Sequence, residues 1–197
     1  MVRFLLIRPG STDFDEQGRI KGTLDIPLSE GGQCQVSQLV HDLAGEKIDF
    51  LYAAPCQCAQ QTATAVATQH RVKAKVLTEL VNLDHGLWHG KLIDELRQTN
   101  PKVYRQWQEH PETVCPPDGE SLAEALERAS GVIGRLTLKH AGKTVALVVP
   151  EPLLSLLRSA IDESDIGDLW KVECAPAAWQ VLETGTAAAA SRVRGAS

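Results

Sequence analysis

Long apolar runs are absent from this 197-residue sequence. Apolar runs such as Phe4 to Ile7 and Val145 to Val149 are no longer than five residues, whereas a membrane-spanning helix needs about 20 apolar residues. A secretory signal is not expected either, because Arg8 ends the first apolar stretch after four residues and a signal peptide needs roughly 7 to 15. We therefore expect no membrane partner and a cytoplasmic location.

An excess of basic charge is also missing. The chain has 20 Lys and Arg against 25 Asp and Glu, a net charge of -5, whereas nucleic-acid-binding domains carry a basic surface. We expect no nucleic-acid partner. The apolar fraction of 43% and the charged fraction of 23% are typical of a globular protein and exclude disordered, collagen-like and coiled-coil chains.

The cysteines do not form a recognisable disulfide or metal pattern. There are five, an odd number, and only Cys56 and Cys58 lie close in sequence, which argues against a disulfide framework and favours a reducing compartment. The Cys56-x-Cys58 spacing differs from the usual zinc arm, and no suitable second Cys or His pair follows it. We predict free cysteines, no metal and no cofactor.

Alternating strand and helix patterns predict one α/β domain over residues 1–184, with a three-layer, mostly parallel central sheet and helices on both faces. The uniformly apolar segments from Phe4 and from Thr144 are typical of strands covered on both faces. Ser121 and Glu124 form a predicted capping box before the clearest amphipathic stripe, Leu122 to Leu136. Residues 185–197 are predicted to be a flexible low-complexity tail. Strands are predicted near 3–8, 49–53, 74–80, 144–149 and 177–183, and helices near 29–45, 57–69, 92–110, 121–136 and 153–161.

Six segments, in order along the chain, resemble motifs of the histidine phosphatase superfamily, the phosphoglycerate mutase-like proteins. The first, L-I-R-P-G-S-T at Leu6–Thr12, is similar to the family's L-I-R-H-G-x-T, with proline in place of histidine. The others are G-T-L-D-I-P-L-S-E-G-G from Gly22, Y-A-A-P-C-Q-C-A-Q-Q-T-A from Tyr52, the segment Leu80–Gly90, P-P-D-G-E-S from Pro116, and A-L-V-V-P from Ala146.

The resemblance implies a phosphoglycerate mutase-like fold and a phosphomonoesterase or phosphomutase ancestry. In that family a neutral imidazole attacks phosphorus, cations hold the phosphate oxygens and an acid protonates the leaving group. Only one of these roles keeps its side chain here, namely Arg8 as a phosphate cation. The other positions carry Pro9 for the nucleophile, Cys58 for a second arginine, Asn82 for the acid and Pro150 for the second histidine.

These replacements predict that the chain has no catalytic residues of the family type and is a pseudoenzyme. The resemblance leaves Arg8, Gly10 and Thr12 as predicted substrate-binding residues, with the backbone N–H groups of Gly10 and Ser11 able to hold a weakly bound sulfate. The alternative is a phosphohydrolase or phosphomutase that acts through a rebuilt site. Its candidate groups are His85, His89 and Cys58.

Charge at the predicted site favours the first hypothesis. Arg8 is the one cation among the positions taken from the family, and Asp15 and Glu151 stand where its motifs have an amide and a glycine. We expect a cleft that excludes phosphate and accepts a neutral or cationic ligand or a protein surface, with Arg8 paired to Asp15 as an alternative to a ligand contact. The sequence indicates neither the identity of the partner nor the oligomeric state.

Overall fold

A six-stranded sheet lies at the centre of the protein, as described by a computed structural model covering residues 1–166, 168–169 and 175–184 and the backbone of 192–194. The strands are β1 (Arg3–Ile7), β2 (Phe50–Ala53), β3 (Ala74–Val76), β4 (Thr144–Val148), β5 (Trp179–Glu183) and β6 (Arg192–Arg194). Their order across the sheet is β3-β2-β4-β1-β5-β6.

Strands β1 to β4 are mutually parallel, and β5 and β6 close one side in antiparallel pairing. Ile7 of β1 is in register with Val148 of β4, so the residues that follow these two strands emerge side by side. Every residue of β4 is buried, because both faces of the sheet are covered. The predicted α/β class and mostly parallel sheet are confirmed.

Seven α-helices are described: α1 (Asp13–Glu16), α2 (Glu30–Asp42), α3 (Gln57–His70), α4 (Ile93–Thr99), α5 (Pro101–Glu109), α6 (Leu122–Lys139) and α7 (Leu153–Asp162). Pro101 separates α4 from α5, as its missing N–H predicts. The capping box of α6 is present: the Ser121 hydroxyl accepts from the Glu124 N–H, and the Glu124 carboxylate accepts from the Ser121 N–H at 2.9 Å.

The structure differs from the sequence prediction in three places. Helix α1 lies in a segment predicted to be a loop, and Thr78–Leu80 is a 3-10 turn after the short β3 rather than its continuation. Strand β6 lies inside the predicted tail; it pairs with β5 through backbone hydrogen bonds, which need no alternating side-chain pattern. Residues 185–191 and 195–197 lie outside the described residues, so flexibility there stays a prediction.

No helix in the described part of the chain is both long and apolar enough to cross a membrane.

Two glycines allow the loop after β1 to pack closely on the first turn of α2. A Cβ on Gly10 would overlap the Gly32 carbonyl, and a Cβ on Gly32 would overlap the Ser11 carbonyl. Because the obstacles are backbone atoms, neither could move aside as a flexible side chain would. The path of residues 8–12, and thus the position of Arg8, depends on this contact.

Gly32→Ala is predicted to destabilise the protein by about 1–3 kcal/mol, since the added methyl group forces the loop away from α2. Gly131→Ala in α6 is the matched control: it is also a helical glycine, but no atom lies within 4 Å of its added Cβ. Its expected effect is a gain of about 0.5–1 kcal/mol from helix propensity. Denaturant unfolding followed by tryptophan fluorescence measures both changes, and equal effects would contradict the proposed packing constraint.

Candidate functional site

A cleft of about 140 Å³ lies at the carboxyl ends of β1 and β4. Parallel strands end at the same edge of the sheet, which is where α/β proteins place their ligand sites. Most lining residues come from the loops after β1 and β4, and the others from the loop between β3 and α4, the start of α4 and the segment after α7. They are Arg8, Asp15, Gly18, Arg19, Ile20, Lys21, Gly22, His85, Ile93, Glu151, Pro152 and Leu169.

Asp15 is shared by two cations on the floor of this cleft. Its Oδ1 lies 3.4 Å from Arg8 Nη2, and its Oδ2 lies 2.9 Å from Lys21 Nζ. The Thr12 hydroxyl and N–H also donate to Oδ2, at 2.6 and 2.8 Å. Burial would raise the pKa of Asp15, but Lys21 and the hydrogen bonds from Thr12 outweigh it and hold that pKa below 3.8. The Arg8–Asp15 pairing is therefore present, as one of the two sequence hypotheses had it.

Lys21 was missed by the sequence analysis, which counted Arg8 as the one cation of the site. Arg19, which also lines the cleft, was missed as well, so three described cations line it. Arg8 and Lys21 face the same carboxylate, whereas Arg19 donates to the Gln17 side chain and to the Gly90 carbonyl. Lys21 directly precedes the motif that begins at Gly22. This neighbourhood is the sequence feature that could have indicated a place for Lys21 in the site. Its place in the cleft depends on how that loop folds back over β1, which no local pattern indicates.

Glu151 is a second carboxylate in the cleft. Its Oε2 accepts hydrogen bonds from the Ser155 N–H at 3.2 Å and the Ser155 hydroxyl at 2.9 Å. Its Oε1 is buried and has no hydrogen-bond partner among the described residues. Burial raises the pKa of Glu151 above 4.5, although Ser155 and Arg8 act in the opposite direction. Both acids proposed from the sequence thus face the cleft rather than bulk solvent.

His85 lines the cleft, and His89 is not among the described residues that line it. The His85 ring is 5.7 Å from the Trp107 ring, and its buried Nδ1 has no hydrogen-bond partner in the described structure. Burial and the neighbouring His89 lower the pKa of His85 to about 4. His89 Nε2 accepts the N–H groups of His85 and Thr23, each at 3.2 Å, so a proton on Nε2 would break both bonds. His85 is buried and His89 is partly buried.

Asn82 holds three loops together at the edge of the cleft. Its side-chain N–H groups donate to the carbonyls of Gly22 at 3.1 Å and Glu151 at 2.9 Å, and its Oδ1 accepts the Leu153 N–H at 3.2 Å. Every polar atom of the amide is used, because the side chain is buried. The residue that the sequence resemblance places at the position of the family acid thus fixes neighbouring loops through hydrogen bonds.

The remaining family positions lie around the same edge. Pro9 and Pro150, both buried, each come two residues after the paired Ile7 and Val148. Cys58 is buried in the first turn of α3, with its Sγ 3.7 Å from Cys56 Sγ. The hydrogen bond with Cys56, together with burial, raises the pKa of Cys58. Cys58 is thus a protonated thiol, and it is not among the described residues that line the cleft.

The predicted anion-holding groups of the β1 loop are already engaged within the protein. The Gly10 N–H donates to the Thr62 hydroxyl at 3.4 Å, and the Ser11 N–H donates to the Gln35 side chain at 2.9 Å. Thr12 is bonded to Asp15. Both donors have partners within the protein, which argues against the expected sulfate cradle at Gly10 and Ser11. Of the predicted substrate-binding residues Arg8, Gly10 and Thr12, only Arg8 is among the described residues lining the cleft.

The described residues also bring together no group of three or more His, Cys, Asp or Glu side chains that could hold a metal ion.

Comparison with known proteins gives the family. A model of the histidine phosphatase superfamily (branch 1) matches residues 4–194. Phosphoserine phosphatase 1 of Hydrogenobacter thermophilus is 29% identical over 182 residues, which cover 92% of this chain and 86% of that protein. The solved structure of Bacillus stearothermophilus YhfR is similar with a TM-score of 0.86 at 24% identity, covering 99% of this chain and 97% of that one. This chain belongs to the histidine phosphatase superfamily.

The two carboxylates of the cleft are predicted to affect stability with opposite pH dependence. Because the pKa of Glu151 is raised in the folded state, the wild type should lose stability relative to Glu151→Gln as the pH rises above 4.5. Because the pKa of Asp15 is lowered, its contribution is full above 3.8 and is lost as the pH falls through the folded-state value. Asp15→Asn should therefore destabilise the protein most at neutral pH and least in acid.

Urea unfolding of the wild type and the two variants between roughly pH 3 and 7 measures both differences. If the two differences changed with pH in the same direction, the assignment of one buried and one charge-paired carboxylate would be wrong.

Proposed function

We propose that this chain is a catalytically inactive member of the superfamily, a pseudoenzyme that keeps the scaffold to bind a small molecule or a protein. The observation that carries this proposal is proline at both positions, 9 and 150, where the family motifs have histidine. Proline provides no side-chain nucleophile, no acid and no backbone N–H. Covalent phosphoryl transfer would therefore lack both the nucleophilic nitrogen at position 9 and the second imidazole at position 150.

The charges in the cleft support the same proposal. Of the three described cations that line the cleft, Arg8 and Lys21 already have Asp15 as a counterion, and Arg19 donates to Gln17 and to the Gly90 carbonyl. A carboxylate about 4 Å from a second anion costs about 4 kcal/mol at an effective dielectric constant of 20. A site of this composition favours phosphate far less than one in which several free donors converge on the anion.

The same charges favour a ligand that brings hydrogen-bond donors. Glu151 Oε1 is a buried acceptor with no described partner, and unpartnered buried polar atoms are costly unless a ligand or solvent satisfies them. We propose a neutral or cationic ligand, or a protein surface that presents such groups. A cytoplasmic location and the lack of a cofactor remain predictions from the sequence.

The second candidate is a phosphohydrolase or phosphomutase that uses His85. One observation favours it: His85 lines the cleft beside Arg8 and Lys21, and its lowered pKa of about 4 keeps the imidazole neutral at physiological pH, as a nucleophile requires. His89 is a weaker candidate, because its Nε2 already accepts two N–H groups. Cys58 is weaker still, because its thiol is buried and its pKa is raised.

Phosphate release decides between the two candidates. We expect none above background from the wild type on p-nitrophenyl phosphate, phosphoglycerates, phosphoserine or α-ribazole phosphate between about pH 5 and 8. A Pro9→His, Cys58→Arg, Asn82→Glu, Pro150→His protein, shown to be folded by circular dichroism, is the comparison. Turnover by the wild type that disappears in His85→Ala or His89→Ala would replace the pseudoenzyme proposal with the rebuilt site.

Phosphate binding tests the charge argument separately. In calorimetric titrations at physiological ionic strength, the wild type is predicted to bind phosphate more weakly than about 100 μM. Asp15→Asn should bind it at least about tenfold more tightly than the wild type, since both cations lose their counterion. Asp13→Asn, the same charge change at an exposed position of α1, should leave the affinity unchanged. Wild-type binding tighter than about 100 μM that is lost in Arg8→Ala would contradict the proposal.

A further inference from the structure

Two cysteine sulfur atoms lie together at the start of α3, beside but outside the cleft. Cys56 is the N-cap residue of this 14-residue helix, and Cys58 is in its first turn. Their Sγ atoms are 3.7 Å apart. Cα atoms two residues apart on a helix are about 5.4 Å apart, within the range of about 4.4–6.8 Å that a disulfide spans.

The surroundings of the two sulfur atoms are unequal. Cys56 Sγ accepts hydrogen bonds from the Cys58 thiol and the Ala59 N–H and is near the positive charge of Lys21, and these interactions lower the pKa of Cys56 to about 7 despite its burial. The N-terminus of α3 adds a further positive potential. Cys58 is fully buried, and its hydrogen bond with Cys56 and this burial raise the pKa of Cys58. One sulfur is thus suited to be a thiolate and the other a thiol.

Small solutes can reach Cys56. Its side chain is partly exposed and lines a small pocket of about 130 Å³ together with Gly22, Thr23, Asp25, Pro55, Val81 and Asn82. Thiolates in an electropositive, partly exposed position are the cysteines that oxidants attack. A hydroperoxide is small enough to enter such a pocket.

We propose that Cys56 and Cys58 form a peroxide-reactive pair in which Cys56 is oxidised first and Cys58 then closes an intramolecular disulfide. In the first step the Cys56 thiolate attacks one oxygen of hydrogen peroxide, the O–O bond breaks, and Cys56 sulfenic acid and hydroxide form. In the second step the Cys58 sulfur attacks the Cys56 sulfur, its proton goes to the departing hydroxyl, and water leaves. Two thiols are oxidised by two electrons, and one peroxide is reduced to two waters.

Closing the disulfide would act on the loop that separates this pair from the cleft. The Gln57 N–H donates to the Asp25 carboxylate at 2.7 Å, and the Cys58 N–H donates to the Ile26 carbonyl at 3.2 Å. Both bonds join the first turn of α3 to the chain that follows Lys21. A change in the backbone of Cys56 or Cys58 would therefore be transmitted to the segment that carries Lys21.

The chain contains its own control cysteines. Cys34 is exposed on α2, and Cys115 is exposed with its Sγ donating to the carbonyls of Pro116 at 3.6 Å and Gly119 at 3.7 Å. Neither has a second sulfur within hydrogen-bond distance among the described residues. If exposure alone governed oxidation, these two would react before the partly buried Cys56.

Peptide mass mapping after treatment with a small excess of hydrogen peroxide tests the pair in the whole wild-type protein. We expect the peptide with Cys56 and Cys58 to lose two hydrogen atoms, about 2 Da, and to regain them with dithiothreitol. Cys56 should react at least about tenfold faster than Cys34 and Cys115 at neutral pH. Cys58→Ser should accumulate Cys56 sulfenic acid that dimedone traps, and Cys56→Ser should leave Cys58 reduced.

Several outcomes would overturn the proposal. These are oxidation of Cys34 or Cys115 as fast as Cys56, an irreversible gain of two or three oxygen atoms at Cys56 in place of the disulfide, or loss of the wild-type result in Cys174→Ser. If the Cys58→Ser variant does not fold, the mass map of the wild-type protein still shows whether the disulfide between Cys56 and Cys58 forms. None of these results depends on phosphate release or on phosphate binding, so failure here leaves the proposed function of the cleft untouched.

Discussion

The guanidinium of Arg8, buried directly after a central strand, imposes the constraint on which the rest of the site depends. A cation taken out of water needs a counterion and hydrogen bonds, because its desolvation costs several kcal/mol. Asp15 supplies the counterion, but a carboxylate in the same place has its own desolvation cost. Thr12 and Lys21 offset that cost by bonding to the second oxygen of Asp15. The short helix α1, whose N-cap is Thr12, exists in this loop because it brings Asp15 back to Arg8.

Asn82 imposes a second constraint on the opposite side of the cleft. An ionisable acid could satisfy only acceptor roles there when charged, whereas the amide both donates and accepts. The three hydrogen bonds of Asn82 fix the Gly22 loop and the Glu151–Leu153 turn relative to each other. That turn places Glu151 in the cleft with one oxygen bonded to Ser155 and the other without a described partner. The side chain of Asn82 therefore has a structural role in this loop arrangement.

The sequence predicted the parts of the structure that depend on local pattern. Continuous apolar segments located β1 and β4, and the capping box of Ser121 located the start of α6. The patterns did not indicate α1, because four polar residues held by Thr12 and Asp15 have no hydrophobic period. Nor did they indicate β6, an edge strand defined by backbone pairing. In the site, the motifs gave the positions of Arg8, Asp15 and Glu151, but the inward side chain of Lys21 results from long-range folding of its loop.

The charged groups that line the cleft are largely paired with one another. A phosphate site works because donors converge on a point where the protein supplies no anion of its own. Here Asp15 is an anion of the protein itself at that point. Arg8 and Lys21 therefore bind Asp15 and stabilise the fold, whereas free cations would bind a ligand. The position that matches the second family arginine is Cys58, and its sulfur faces Cys56 instead of the cleft. The polar side chains at this edge of the sheet are thus bonded mainly to partners within the protein, whereas buried atoms of Glu151 and His85 have no hydrogen-bond partner in the described structure.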